Sequence, residues 1–340
     1  MKKSFLVLII LITACKQNVI KEEVSLFKTD LIISFGSCNN QITPNVLFKE
    51  ILKNKPELFI WGGDIIYSDT QNPKILEENY NSFKKDSSYT IFKDKIEISA
   101  TWDDHDYGIN DGGIENKIKK EAQNYFLDFL DVPKNSKRRN QEGIYHSKIF
   151  EKGDNSIKVI VLDTRFFRTS LTPDESGKKR YVPNNKNEGT MLGIKQWLWL
   201  ENELLNSKAN FNIVVSSIQL LSDKHGFESW GNMPHEVEKF KKMILKTNAK
   251  NVIVLSGDRH ISEISKTNIG NYKYSLIDFT SSGMTHTYSS FHGEKNPYRI
   301  SNVIYEINFG LLKFDFNNNK VLFEIRGKNN LVLEKYVEQY

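Results

Sequence analysis

The chain has 340 residues, 39% of them hydrophobic and 26% charged, enough apolar material for one large domain or two small ones with a real core, which excludes a disordered polypeptide. The formal net charge is +5; loss of Lys2 and Lys3 with a cleaved leader would leave 45 basic against 42 acidic side chains, a net +3. That bias is too weak to predict a nucleic-acid-binding surface.

The first element in the chain is a targeting segment. Lys2 and Lys3 precede an apolar run over 5–12 that ends in Thr13-Ala14-Cys15, the order of a charged region, a short hydrophobic region and a small-residue cleavage site. The run is too short to persist as a membrane-spanning helix. Leu11-Ile12-Thr13-Ala14-Cys15 resembles a bacterial lipobox. Residues 1–15 are therefore expected to be a lipoprotein signal peptide with Cys15 as the acylated mature N-terminus, 16–30 a polar tether, and 31–340 a single folded domain. The expected location is outside the cytoplasm, in a bacterial cell envelope, with membrane contact through the N-terminal lipid; an ordinary cleaved signal peptide is the alternative. The other cysteine, Cys38, then lacks an intramolecular disulfide partner. It is either a buried small hydrophobe or a metal thiolate.

Short β-branched apolar runs predict strands at 31–35, 58–61, 96–102, 159–162, 213–217 and 252–255. Nearly all run directly into a polar cluster: Gly36-Ser37-Cys38, Gly62-Gly63-Asp64, Asp103-Asp104-His105-Asp106, Asp163-Thr164-Arg165 and Ser256-Gly257-Asp258-Arg259-His260, with Gln219 just past the fifth run. Helical spacing predicts helices at 45–55, 115–130, 193–206 and 234–246. Such alternation indicates a sheet covered on both faces, where ligands sit outside the strand ends. One such cluster is an ordinary turn, since Asp and Gly are common turn residues; their recurrence at equivalent strand ends points to one reactive rim. Residues 166–192 lack periodicity and predict a long loop, a kind that is usually functional or disordered; it contains Lys178, Lys179 and Arg180. Apolar alternation at 303–307, 311–316 and 321–325 predicts antiparallel strands closing the fold as a meander.

Cys38, Asp64, Tyr67, Asp104, Asp258 and His260 combine sulfur, oxygen and nitrogen donors, a mixture suited to two metal ions of different hardness sharing one carboxylate. Thiolate and phenolate favour Fe3+; carboxylate and amide oxygens favour Ca2+, Mg2+ or Mn2+. Two adjacent cations hold the attacking and leaving oxygens of an in-line displacement at phosphorus and lower the pKa of bound water.

In order along the chain, Gly36-Ser37-Cys38, Gly63-Asp64-Ile65-Ile66-Tyr67, Trp102-Asp103-Asp104-His105-Asp106, Leu162-Asp163-Thr164-Arg165 and Gly257-Asp258-Arg259-His260 resemble the motifs of the alkaline phosphatase D (PhoD-like) family, over nearly the whole mature chain. The resemblance implies an α/β fold, a metallophosphatase-type sandwich of two mixed β-sheets flanked by helices, with 31–340 as the catalytic domain. It implies that Cys38 and Tyr67 ligate iron, that Asp64 bridges the metals and that Asp258 and His260 add coordination; Asp104 is a further candidate ligand. His105 is then the acid or electrostatic partner of the leaving oxygen, or a hydrogen-bonding support for a ligand carboxylate.

Arg165 matches the family arginine that grips phosphate, where a planar fork of donors pairs with two phosphoryl oxygens. Arg168 is a second candidate for the same anion, and Asn110 stands where the family places an Asn ligand. The expected function is hydrolysis of extracytoplasmic phosphomonoesters or phosphodiesters by metal-activated hydroxide, by a monomer holding Fe3+ and Ca2+ or another divalent ion. The alternatives are a metal-dependent hydrolase of a non-phosphate ester or amide, and an inactive surface lipoprotein that binds a sugar or partner. Arg165 and the basic 178–180 run suit phosphate better than a carbonyl oxygen, and so many carboxylates at one rim would be costly in an inactive protein. Two features depart from the family pattern. The core begins at about Leu31, without room for the N-terminal β-domain of larger members, and the third motif reads Asp103-Asp104-His105-Asp106-Tyr107-Gly108 where others carry Glu and a run of Asn.

Overall fold

The computed structural model describes residues 27–340; the expected signal peptide, Cys15 and most of the 16–30 tether lie outside the described residues. In chain order the strands are β1 (Leu31–Gly36), β2 (Leu58–Gly62), β3 (Glu97–Thr101), β4 (His146–Lys152), β5 (Asn155–Val161), β6 (Thr172–Pro173), β7 (Tyr181–Val182), β8 (Phe211–Val215), β9 (Val252–Ser256), β10 (Ser262–Asn268), β11 (Ser275–Ser281), β12 (Asn308–Asp315), β13 (Lys320–Gly327) and β14 (Val332–Gln339). The helices are α1 (Leu47–Lys53), α2 (Pro73–Lys84), α3 (Ser87–Lys93), α4 (Asp104–Tyr107), α5 (Lys119–Phe129), α6 (Gly193–Leu205) and α7 (Pro234–Thr247).

The strands form two six-stranded mixed sheets, ordered β14-β13-β12-β1-β2-β3 and β10-β11-β9-β8-β5-β4, beside the small β6-β7 hairpin. The two-residue repeat of a strand sends alternate side chains to opposite faces. In β9, Ile253 and Leu255 enter the core between the sheets, while Val252 and Val254 enter a second core with Trp197 of α6 and Phe240 of α7. Both faces are apolar, which is why these strands read as unbroken hydrophobic runs. The sheets meet through edge-on aromatic pairs, Phe35 with Phe279 at 4.9 Å and Phe211 with Phe314 at 5.1 Å between ring centroids. On the outer face of the first sheet, Phe59 and Trp61 of β2 pack against Phe48 of α1, Phe83 of α2 and Phe92 of α3. The predicted α/β sandwich of two mixed sheets flanked by helices is what forms.

β1, β2 and β3 are mutually parallel, as are β5, β8 and β9. Their C-terminal ends therefore open together onto one rim, where all the polar clusters lie. Two sequence expectations differ from the structure. Residues 303–307 are not a strand: Ile304 makes a single bridge to Ser262, and the closing meander is β12, β13 and β14. β10 and β11 escape a hydrophobic pattern because they bury polar groups, and these are satisfied by side chains: Gln219 donates from Nε2 to Glu263 and to Thr280 Oγ1, each at 2.9 Å, and Ser256 donates to Asp278 at 2.7 Å.

Gly257 sits where three strand-end turns touch. A Cβ there would lie 2.4 Å from Ser37 Oγ and 2.8 Å from the Gly62 carbonyl oxygen, closer than van der Waals contact permits. Gly257→Ala is expected to lower stability by about 1–3 kcal/mol, as forced overpacking does, measured as a shift of the denaturation midpoint. Retention of wild-type stability would show that the turns are not packed against one another.

Candidate metal centre

The turns after β1, β2 and β9 carry four residues in the left-handed region: Cys38 (φ 61°), Asp64 (φ 51°), Asp258 (φ 68°) and His260 (φ 54°). Non-glycine residues avoid this region, and holding them there costs on the order of 1–3 kcal/mol each. Backbone hydrogen bonds between the turns impose it. Asn39 N–H donates to the Asp64 carbonyl at 2.8 Å, Thr285 N–H to the Cys38 carbonyl at 3.3 Å, and His260 N–H to Ser282 Oγ at 2.7 Å. The third motif is tied to the second by Asp106, whose carboxylate accepts Ile65 N–H at 3.0 Å and Asp103 N–H at 2.6 Å.

These turns converge seven donor side chains. Cys38, Asp64 and His260 place one donor atom each within 4.8 Å of one another; so do Asp64, Asp104 and His105, and so do Asp103, Asp104 and Asp258. Asp64 belongs to the first two groups and Asp104 to the last two, so the clusters form a continuous array. The Tyr67 hydroxyl donates to Asp64 Oδ2 at 3.1 Å and lies 3.1 Å from His260 Nε2, while the Cys38 thiol donates to the same Asp64 oxygen at 3.4 Å. Asp64 Oδ1, Asp103 Oδ2 and Asp104 Oδ1 are buried without a hydrogen-bond partner.

The electrostatics call for positive charge. Burial, then the charges of Cys38 and Asp104, holds Asp64 well above the carboxylate range; burial, then Asp103 and Asp104, does the same to Asp258. Burial pushes the Cys38 thiol up to about 11. Burial and then the neighbouring His286 and His105 push His260 down to about 3, which leaves a neutral imidazole with a free lone pair. Asp104 differs: burial opposes its ionisation, but Arg165, His105 and the Asp111 amide hold it below its usual value. Cations between these groups would reverse the other shifts and occupy the orphaned oxygens, so the donor set fits a two-metal site. Sulfur and phenol lie at one end of the array and carboxylates alone at the other.

The array opens into a cleft of about 440 Å³ lined by Asp104, His105, Asn110, Asp258 and His260, all singled out in the sequence, and by Asp111, Arg180, Phe227, Arg259 and Tyr288. His105 donates from Nδ1 to both oxygens of Asp69 at 2.8 Å, and its ring lies over Tyr67 at 4.1 Å. Burial opposes protonation, yet Asp69 and Asp104 raise its pKa above the usual histidine value.

Arg165 and Arg168 require a correction. Both are 0% exposed and neither lines the cleft. Arg165 donates from Nε to Asp103 at 2.6 Å, from Nη1 to Glu228 at 2.6 Å and to the Gly112 carbonyl at 3.3 Å, and from Nη2 again to Asp103. Arg168 pairs with Glu228 at 3.0 Å and donates to the Thr169 and Asp111 carbonyls. Paired with buried acids and backbone carbonyls and absent from the cleft wall, these arginines sit behind the site. The sequence reading missed three participants. Glu228 and Asp69 carry no local signal; His286 packs its ring 4.6 Å from His260 and 4.9 Å from Tyr67.

Arg165→Met leaves Asp103 and Glu228 buried with one cation fewer. It is expected to cost about 3–5 kcal/mol of stability in chemical denaturation, part of which Asp103→Asn added to it recovers. Unchanged stability with a loss of substrate turnover would return Arg165 to substrate binding.

Comparison with known proteins follows the same lines. The sequence model of the PhoD-like phosphatase family matches residues 33–296. Alkaline phosphatase D of Bacillus subtilis (strain 168) is 25% identical over 279 residues, covering 70% of this chain and 47% of that protein, so the chain spans about half the length of this relative. Among solved structures, PhoD superposes with a TM-score of 0.71 at 19% identity over 92% of this chain and 70% of its own. GAP50, the anchor in the inner membrane complex of Plasmodium, gives 0.57 at 13% identity over 92% and 89%, and a dimetal phosphatase from Danio rerio 0.51 at 11% over 92% and 100%. With more than half of its length matched by the family's sequence pattern, the chain belongs to the PhoD-like phosphatase family.

Proposed function

We propose that the protein is a metal-dependent phosphoric ester hydrolase. One observation carries the reading: Asp64 and Asp104 link three overlapping groups of donors, each with two buried members and one half-buried, that open on a single cleft. Family membership, and the names of the Bacillus and Danio relatives, support it. Cys38 and Tyr67, with Asp64 and His260, would hold Fe3+; Asp104 and Asp258, with Asp64, would hold Ca2+ or another hard divalent ion. The ions would supply an activated water and offset charge growing at phosphorus.

The chain's own residues do the rest. The hydrogen bond from Nδ1–H to Asp69 fixes the His105 ring, and Asp69 and Asp104 favour its imidazolium form, in which Nε2 also carries a proton that it would give to the departing oxygen, leaving the neutral ring with Nδ1–H still on Asp69. Asn110, on the cleft wall, offers its side-chain amide to a phosphoryl oxygen. A cleft of about 440 Å³ lies within the range of sites that enclose a whole small molecule, so it accepts the alcohol portion of a mono- or diester as well as its phosphate. The charged and apolar leader and the lipobox-like Leu11–Cys15 run support a further part of the reading, that the activity is extracytoplasmic and the protein a monomer anchored through acylated Cys15; among the described residues no helix is long and apolar enough to cross a membrane.

The decisive experiment measures release of p-nitrophenol from p-nitrophenyl phosphate and bis(p-nitrophenyl) phosphate before and after chelation, with iron and calcium restored separately. Turnover should vanish with the metals and return with them; absence of turnover on either ester under every metal condition overturns the reading. Purified protein should carry a visible charge-transfer band from thiolate and phenolate to iron, which Cys38→Ala bleaches along with activity. A colourless variant of full activity would reduce Cys38 to a packing residue. Wild type should sediment with membranes and Cys15→Ser remain soluble and active, since stable attachment requires several acyl chains; equal solubility of the two would remove the anchor.

A further inference from the structure

With Arg165 and Arg168 sealed behind the site, the cleft needs another group to receive phosphate. We propose that Arg180, carried on the β6-β7 hairpin, is the side chain that grips a phosphoryl oxygen of the substrate, an inference that rests on the phosphoester reading above. The hairpin is the part of the long 166–192 segment that forms strands. It is pinned against the cleft wall: Arg180 N–H and Tyr181 N–H both donate to the Gly226 carbonyl, at 3.0 and 2.9 Å, and Asn184 N–H donates to the Asn232 carbonyl at 2.8 Å. Gly226 precedes Phe227 and Glu228, so the hairpin and the loop that holds the buried arginines are one packed unit.

Arg180 lines the cleft together with Asp104, His105 and Asp258, and its side chain is 48% exposed. A guanidinium has five N–H donors. In Arg180 only Nη2 has an ionic partner, Asp111 Oδ2 at 2.5 Å. Asp111 divides its attention: the same oxygen accepts the Tyr181 hydroxyl at 2.7 Å, while its backbone N–H donates to Asp104 Oδ2 at 2.7 Å. Arg180 is thus two links from a candidate metal ligand, oriented by Asp111 but with donors left over.

Arg259, the other arginine on the cleft wall, is 7% exposed, pairs with Glu294 at 2.7 Å and lies over the Phe227 ring at 4.3 Å. Its Nη2 is paired as that of Arg180 is, but its Nε is buried without a partner, so burial against the Phe227 ring is what keeps it from the cleft that the half-exposed Arg180 faces. A cleft walled by Asp104, Asp111, Glu228 and Asp258 repels a phosphate dianion wherever metal charge does not reach, and a planar fork at the entrance offsets that repulsion while orienting two oxygens at once.

The test uses the metal-loaded full chain with p-nitrophenyl phosphate as substrate and inorganic phosphate as competitive inhibitor. Arg180→Ala is expected to lower kcat/KM about 10–100-fold, the scale of a hydrogen bond to a charged group, and to raise the phosphate inhibition constant by a similar factor. Arg180→Lys should recover part of both, because a point charge keeps the attraction without the fork. Metal content and thermal midpoint should match wild type. Wild-type kcat/KM and phosphate inhibition in Arg180→Ala overturn the proposal, as does a loss of kcat/KM with unchanged phosphate inhibition and a lowered thermal midpoint, which would make Arg180 only a staple to Asp111. If wild type hydrolyses neither ester, the phosphoester reading fails and the proposal with it; if wild type is active and Arg180→Ala equals it, the role of Arg180 alone fails.

Discussion

Burying many acids in one place is the constraint around which this molecule is arranged. Cys38, Asp64, Asp103 and Asp104 are buried, and Tyr67 and Asp258 half-buried, around one small volume at the floor of the cleft. Burial raises the cost of ionising Asp64 and Asp258, and the neighbouring acids add to it. Charge of the opposite sign must come from somewhere. Behind the array it comes from Arg165 and Arg168, which are fixed and fully desolvated; within the array it would come from metal ions, for which orphaned carboxylate oxygens remain. The two sources divide the acids. Asp103 belongs to the arginine side through its Oδ1, and Asp104, whose pKa Arg165 lowers, lies between them.

The backbone arrangement follows from that grouping. Parallel strands deliver their C-terminal ends to one edge, and a left-handed residue immediately afterwards turns the chain sharply enough for its side chain to point into the shared space. Glycines allow the turns to touch: at Gly63, with φ +99°, a Cβ would lie 2.5 Å from the Asp103 Cβ, so the Asp64 and Asp104 turns meet only because that position is bare. The strain in the turns is held by hydrogen bonds between them, and no single turn could hold its own conformation alone.

The distinction between arginines shows how burial decides chemistry. A guanidinium placed after a strand end looks, in sequence, like a phosphate ligand, because the residue type and the neighbouring Asp are the same whether it faces outwards or inwards. What separates Arg165 from Arg180 is the identity of the acids that reach them: Asp103 and Glu228 enclose the first, whereas Asp111, already shared with Tyr181, leaves the second partly open.

The sequence by itself determined the elements whose signals are local. Apolar strands covered on both faces, helices at 3.6-residue spacing, and the polar clusters that follow most of the parallel strands are all written within windows of ten residues or so. They carried the reading of a helix-covered sheet and the candidate donor residues, whereas the sandwich of two mixed sheets came from the resemblance of the ordered motifs to those of the PhoD-like family. Tertiary structure decided whatever depends on long-range pairing. β10 and β11 are strands because Gln219, Asn296 and Arg299 satisfy Glu263 from outside its own strand, and a polar strand without such partners would not be buried. Asp69 reaches His105 across 36 positions, and Glu228 reaches Arg165 across 63. No local pattern encodes such a meeting, because only the packed fold sets which acids arrive beside which cation, and burial then makes that pairing obligatory.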